Sequence, residues 1–320
     1  MAPPDPALQR APSLAAKLGL VSLIVCIAGL TPVAARDAMK EMPPFSTGLV
    51  RFAIAAGLLT STWLAWRRAE SKLARPIGRR DWPLFLLAAA LCVPVNQACF
   101  LKGVKLANAS HAGLFYGLNP VLVYLFTLAL GRTRRSVRMG LAAVLAFLGA
   151  AAIAWTGLRT EHRLSFFAGD LLLLGAIASW AAYTVAAVPL AARYGALRSV
   201  SIVLVAGVVL YTPAYLVDGR ELDFAALSWR ALGGFAFITL LTGYVNYLLW
   251  MVAWARIDVN RLAVATNTAP IISVAAAYFW QHEPLTGGLL VGAALILAAI
   301  TLANWPRVRA LWGARRPTPM

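Results

Sequence analysis

Charge is what this 320-residue chain has least of. Asp, Glu, Lys and Arg make up 13% of it and hydrophobic residues 61%, where a soluble domain carries roughly 25% charged residues. That balance excludes a water-soluble fold, and it equally excludes a long disordered chain. Cysteine is scarce as well. Cys26, Cys92 and Cys99 all fall inside apolar runs, where free thiols act as small hydrophobes, so no disulfide framework follows. The three histidines, His111, His162 and His282, are far apart and show no metal-ligand spacing. No Gly-rich loop ends in Gly-Lys-Ser/Thr, so the signature of built-in ATP hydrolysis is missing. No Ser/His/Asp or paired-carboxylate arrangement stands out. Neither a metal nor a cofactor is expected.

What the chain does have is long apolar runs, with a mean hydropathy of +0.73. A helix crossing the hydrocarbon core needs about 20 mainly apolar residues. Ten runs qualify: Leu18–Ala35, Phe45–Trp66, Trp82–Leu101, Ala109–Leu130, Met139–Gly157, Ala168–Val188, Leu197–Val217, Ala231–Trp254, Leu262–Trp280 and Gly287–Asn304. The expected fold is therefore an all-α integral membrane protein with ten transmembrane helices. Five spans fill residues 18–157 and five fill 168–305, joined by a linker at 158–167. A Pro-rich segment, 1–17, precedes them and a basic tail, 306–320, follows. Val33-Ala34-Ala35 could pass as a signal-cleavage site, but the repeat described below gives the first run a partner, so it is read as a retained helix.

The basic excess, 29 Lys+Arg against 12 Asp+Glu, first suggests nucleic acid. Its placement says otherwise. With ten spans both termini share a side, and that side's loops and tails carry 20 Lys+Arg against 8 on the other, with Arg51 alone inside a span. Such a split in short loops marks the cytoplasmic face. Both termini are expected in the cytoplasm and the protein in the inner (plasma) membrane, its basic face favouring anionic lipid of the bilayer. No basic helix stands outside the membrane, so nucleic-acid binding is not expected.

Comparing the chain with itself at an offset of 150 pairs Gly19 with Gly169, Gly57 with Gly207, Thr62 with Thr212 and Phe85 with Phe235. It also pairs Val95-Asn96 with Val245-Asn246 and Pro120 with Pro270. Each half holds five spans, an odd number, so the second must enter the membrane from the opposite side. Inverted repeats of this kind are a common construction of secondary transporters, with the binding site near the midplane where the halves meet.

Several stretches resemble the EamA-type branch of the drug/metabolite transporter superfamily. Gly169-Asp170-Leu171-Leu172 followed by Ser179-Trp180-Ala181-Ala182-Tyr183 is similar to that family's repeat opening. Tyr247-Leu248-Leu249-Trp250, then Ala263 to Pro270, then Glu283-Pro284-Leu285-Thr286, resembles its small-residue helix, mid-helix proline and terminal glutamate turn. Arg51 fits the family's arginine in helix 2 and Pro120 its helix-4 proline. Arg132 departs from the pattern, standing where the family usually has glutamate, while the second copy reads Gln281-His282-Glu283. The resemblance implies export of amino acids and related metabolites, as a class.

An unpaired polar group in hydrocarbon costs roughly 4–8 kcal/mol, so polar residues deep in spans face the bundle or a wet cavity. Asn96 and Gln97 lie in helix 3, and Asn246 holds the symmetry-related place in helix 8. Helix 4 carries His111, Phe115 and Asn119 at i, i+4 and i+8, on one expected face. Asn267 precedes Pro270 in helix 9. Pro120 and Pro270 each loosen the carbonyl four residues upstream and are candidate hinges. Trp180, Tyr116, Tyr244 and Tyr247 fall far enough inside to line a cavity, although aromatics near helix ends also form interfacial belts. Two readings stand for the amides: substrate cavity, or hydrogen-bonded glue between helices. Arg51 is either a carboxylate anchor or a side chain that snorkels to the interface. Gly113 with Gly117, and Gly288 with Gly292, are small-residue packing signals, for contacts within the protomer or for a homodimer. Asp170, His111 and Glu283 are the only plausible protonation sites. With every acid in a loop or near a helix end, facilitated efflux or exchange is expected rather than tight proton coupling.

Together these features point to alternating access at a midplane cavity lined by helices 3, 4, 8 and 9, with a small metabolite as substrate. A membrane enzyme or lipid-handling protein would need reactive groups clustered at one face. A nucleotide-sugar or phosphorylated-metabolite exchanger would need several cations inside the spans.

Overall fold

The structure is a computed structural model, and it describes residues 14–66, 76–157, 163–218, 222–257 and 265–313. Its helices are α1 (Leu14–Met39), α2 (Pro44–Trp66), α3 (Trp82–Ala90), α4 (Asn96–Leu106), α5 (Ala109–Tyr116), α6 (Asn119–Ala129) and α7 (Val137–Gly157). They continue as α8 (Arg163–Tyr194), α9 (Ala196–Asp218), α10 (Trp229–Ala236), α11 (Asn246–Arg256), α12 (Ala269–Gln281) and α13 (Gly287–Gly313). No strand occurs among the described residues. Among the described residues, eight continuous helical stretches are long and apolar enough to cross a membrane, and α5 with α6 form a further bent pair. The expected span Leu262–Trp280 begins outside the described residues, and what is described of it includes the 13-residue α12.

Two sequence features shape the broken spans. The first is proline. Pro120 and Pro270 sit in the first turn of α6 and α12, where the missing N–H costs no helical hydrogen bond. Upstream of each, the chain tightens. Leu118 N bonds Phe115 O, and Thr268 N bonds Ala265 O, three residues back rather than four. The span of α5 and α6 is bent by 46° there. This bend corrects the expected single face of His111, Phe115 and Asn119. His111 and Phe115 remain neighbours with ring centroids 6.3 Å apart, but helical periodicity does not carry across the bend to Asn119.

The second feature is π-helical winding, at Leu91–Val95 between α3 and α4 and at Phe237–Val245 between α10 and α11. Each wide turn ends on a symmetry-related asparagine, Asn96 or Asn246. Pro94 inside the first removes a backbone donor and accounts for the loosened ladder there.

Packing displays the two-fold relation of the halves. α2 packs on α9 and α7 on α13, each pair uniting corresponding helices of the two copies, and α5, in the first half of one broken span, packs on α12, in the second half of the other. α4 lies on α8 as α10 and α11 lie on α1. Lipid supplies no hydrophobic drive between helices, so close approach at small residues does much of the work. Gly292 faces the carbonyl of Gly149 so closely that an added Cβ would lie 2.7 Å from it, and Gly113 meets Ser273 more tightly still. Gly113, Gly117 and Gly292 thus all pack within the chain.

Candidate functional site

Arg51 projects from α2 into the bundle and is 3% exposed. It does not snorkel. One guanidinium nitrogen donates to Gln97 Oε1 at 2.9 Å, and another donates to the Ile238 carbonyl at 2.8 Å. Ile238 lies in the second π segment, whose wide turns re-aim carbonyls away from a regular ladder. The arginine therefore bridges the two halves. Gln97 Nε2 donates to Asn96 Oδ1 at 2.6 Å. Asn96 Nδ2 donates in turn to the Ala176 carbonyl at 2.7 Å and to the Tyr116 hydroxyl at 3.4 Å. No carboxylate pairs with Arg51 among the described residues. Its surroundings are instead the Phe52 ring, 4.9 Å away, the phenols of Tyr247, Tyr116 and Tyr211, and the Cys92 thiol.

Other expected residues adjoin this chain of bonds. Cys92 lies between the hydroxyls of Tyr183 and Tyr247, and Trp180 leans on Tyr183 with ring centroids 5.1 Å apart. Tyr244 shares a 2.9 Å hydrogen bond with Thr62. Tyr116 and Tyr247 are partly buried. Asn246 and Asn119 are half-buried, each with a side-chain oxygen that has no partner. Asn267 goes elsewhere: its Oδ1 accepts from Asn304 Nδ2 of α13 at 3.4 Å, away from the arginine. The symmetry-related asparagines are thus not equivalent. Asn96 is locked on three partners, whereas Asn246 keeps a free acceptor.

An apolar groove of about 360 Å³ opens on another face, lined by Leu114, Ile271, Val274, Tyr278, Phe279 and neighbours. Of the residues expected at the site it contains only Pro270.

Three acidic residues that the sequence placed near helix ends are buried: Asp37, Asp170 and Glu283. His282 takes the left-handed conformation, φ 56°, at the end of α12 and turns the chain back. Glu283 is thereby aimed at the start of α5, where its oxygens accept from Ala109 N at 2.8 Å and Ser110 N at 3.0 Å. These are donors that a helix start leaves without partners. Arg36 lies 3.6 Å from the same carboxylate and also donates to the Ala107 carbonyl. Asp37 gathers Lys40, Arg230, Trp280 and Gln281. Glu41 in the loop after α1 accepts from both the hydroxyl and the amide of Ser228, and these bonds hold its carboxyl below the usual range. His111 Nδ1 lies 2.7 Å from Asp170 Oδ1. These contacts crowd one end of the bundle, and all but Asp37 with Lys40 and Arg36 with the Ala107 carbonyl cross between the halves. Sequence reasoning singled out His111, Asp170 and Glu283 separately and missed Asp37 and Glu41. Only the i, i+3 spacing of Asp37 and Lys40 offered a local hint.

The family model described as the EamA-like transporter family matches residues 16–155 and again 167–305. The chain is 27% identical over 292 residues to an uncharacterized transporter of Bacillus subtilis, YvbV, covering 89% of this chain and 90% of that one. A probable amino-acid metabolite efflux pump of Salmonella typhimurium is 24% identical, with 88% and 92% covered. The aromatic amino acid exporter YddG of Ancylobacter novellus is 25% identical, with 89% and 96% covered. A crystal structure 20% identical in sequence superposes with a TM-score of 0.60, over 93% of this chain and the whole of the other, which speaks for the fold alone.

Proposed function

Because this chain belongs to the EamA-like transporter family, in two copies spanning most of its length, we propose that it exports amino acids or amino-acid-like carboxylates across the plasma membrane. Both termini lie in the cytoplasm in this reading, as the 20 to 8 split of basic residues favours. In this reading the substrate is held between the halves beside Tyr116, Tyr247, Trp180 and Asn246, and the two halves rock about it, with the breaks before Pro120 and Pro270 as hinges.

One observation carries the reading. A guanidinium held deep in a membrane bundle costs roughly 2.5–3.5 kcal/mol on insertion scales, and Arg51 is kept there without a carboxylate partner among the described residues. Its bonds go to neutral acceptors on both halves, so its charge is left to act on whatever enters. A carboxylate is the natural complement, and the surrounding phenols and indole suit an apolar side chain. An exchanger of multiply charged phosphates is less well served, since Arg51 is the one basic residue well inside the described spans. The relatives named as amino-acid efflux proteins support the same class.

The test is resistance. Cells overexpressing the protein should tolerate a toxic amino-acid analogue that kills the parent strain, and Asn96→Ala or Asn246→Ala should abolish the tolerance. Absence of tolerance to any analogue, together with absence of amino-acid counterflow in proteoliposomes, would overturn the proposal.

A further inference from the structure

Four arginines, Arg132, Arg134, Arg135 and Arg138, fall between the end of α6 and the first turn of α7, with no Asp or Glu among them. The loop that carries them is tied down at its backbone. Gly131 turns the chain with φ 66°, and Arg132 N donates to the Thr127 carbonyl at 2.8 Å. The Tyr124 hydroxyl accepts from Ser136 N at 2.9 Å and donates to the Arg134 carbonyl at 3.4 Å. Held in this way, the loop turns its cations outward: Arg132, Arg134 and Arg135 are exposed and Arg138 is half-buried. None of the four joins an ion pair among the described residues. Arg138 Nε is enclosed without a hydrogen-bond partner.

The corresponding turn of the second copy is used differently. It also passes through a left-handed residue, His282, but the next residue is Glu283, folded in against the α5 amides. Arg132, the residue after Gly131, stands in the open instead. One copy has an inward anion at this turn and the other an outward cation.

The depth of the loop in the bilayer follows from α7. Val137, Leu141, Val144, Leu148 and Trp155 are all exposed, and their spacing of i, i+4, i+7, i+11 and i+18 puts them on one face of the helix. Ala142, Ala146, Ala150 and Ile153, on the opposite face, are buried. From Val137 to Trp155 the helix rises about 27 Å, close to the ~30 Å of the hydrocarbon core. The exposed face is thus one that acyl chains cover along its whole length. Val137 is 84% exposed at its end, so the arginines stand where that face meets the headgroup layer. The loop is too short to carry them away to a soluble partner.

We propose that the α6–α7 loop is a binding site for an anionic phospholipid. Its guanidinium groups take the phosphate, whose oxygens they match two at a time, and the acyl chains lie along the Val137–Trp155 face of α7. In the orientation proposed above the loop lies at the cytoplasmic surface, where the leaflet carries anionic headgroups. The binding itself does not depend on that orientation.

Native mass spectrometry tests this on the full chain, delipidated in a nonionic detergent and titrated with phosphatidylglycerol or phosphatidylcholine. The wild type should hold one phosphatidylglycerol in clear preference to phosphatidylcholine. A basic residue at a membrane surface is worth roughly fivefold in affinity for anionic lipid, so Arg134→Gln with Arg135→Gln should weaken that lipid by about 25-fold. Phosphatidylcholine binding, which reports any loss of fold, should not change. Arg79→Gln with Arg80→Gln, an equal loss of charge at exposed positions outside the loop, should leave the tightest phosphatidylglycerol nearly unaffected. Absence of a preference in the wild type overturns the site. So does equal weakening by the two double variants, because the attraction would then be a diffuse effect of net charge. Displacement of the lipid by equimolar glycerol 1-phosphate overturns it too, because the ligand would then be a soluble phosphate. No transport is measured, so the outcome is independent of the export proposal.

Discussion

Replacing Arg51 separates architecture from function, because the magnitudes for folding nearly cancel while those for binding do not. Arg51→Leu removes two hydrogen bonds from a charged donor, to Gln97 Oε1 and the Ile238 carbonyl, worth about 1.5–3 kcal/mol each. It also relieves about 2.5–3.5 kcal/mol of burying the guanidinium in the membrane. The difference runs from a gain of about 0.5 to a loss of about 3.5 kcal/mol, small enough for the variant to fold. Binding has no such compensation. A carboxylate ~7 Å from the guanidinium gains about 2.4 kcal/mol at an effective dielectric of ~20, which is roughly 60-fold in affinity. The assay is competition in proteoliposomes between L-phenylalanine and its carboxamide, for the wild type, Arg51→Leu and Arg51→Lys. The wild type should prefer the acid. Arg51→Leu should lose the preference by weakening the acid while leaving the amide near its wild-type value, and Arg51→Lys should retain part of it. Equal weakening of both ligands would mean that Arg51 only holds the helices in place, and the reasoning from its missing counter-ion would be refuted. Loss of the folded protein in Arg51→Leu would refute the cancellation itself.

Further expectations follow from individual contacts. Glu283→Ala strips two acceptors from the start of α5 and should cost about 0.5–2 kcal/mol, as helix-cap losses do, with Glu283→Gln recovering part in equilibrium unfolding. Gly113→Ala would place a Cβ 2.0 Å from Ser273 Oγ and should destabilise by about 1–3 kcal/mol or more, as overpacking does. Ser273→Gly should restore most of that loss and Ser273→Ala should not, since its Cβ remains 2.2 Å away. Gly57→Ala, with nothing within 4 Å, should instead stabilise α2, by up to about 1 kcal/mol. Glu41 has its carboxyl held down by the Ser228 bonds. A depressed folded value means its contribution is fully present above the ordinary carboxylate range and is lost as pH falls through the folded value. The Glu41 carboxylate signals in infrared pH titration should therefore persist to lower pH in the wild type than in Ser228→Ala.

Composition and spacing alone determined the class of this molecule. Long apolar runs, so few charges and a 150-residue repeat leave no solution but helices in two copies, because unsatisfied backbone is too costly in lipid for anything irregular to be exposed there. Pro120 and Pro270 marked the breaks, since a ring without an N–H costs least where a helix begins, but Pro32, Pro189 and Pro213 lie inside helices, so a proline alone does not tell where a span breaks. Arg51, Asn96, Gln97 and Tyr116 were legible as candidates for the same reason that they are rare: polar groups survive in a span only with a partner or a use. Which partner was beyond reading. Nothing in the spacing tells whether Arg51 reaches the interface or the carbonyl of Ile238, a residue 187 positions away. Nothing local marks Phe237–Val245 as π-helical, or separates Asn119 from the face of His111 before the 46° bend is known. His111 and Asp170, 59 residues apart, became a pair only when α5 was laid against α8. Burial energies are set by residue type and are written along the chain; hydrogen-bond partners are set by which helices touch, and only the packed bundle decides that.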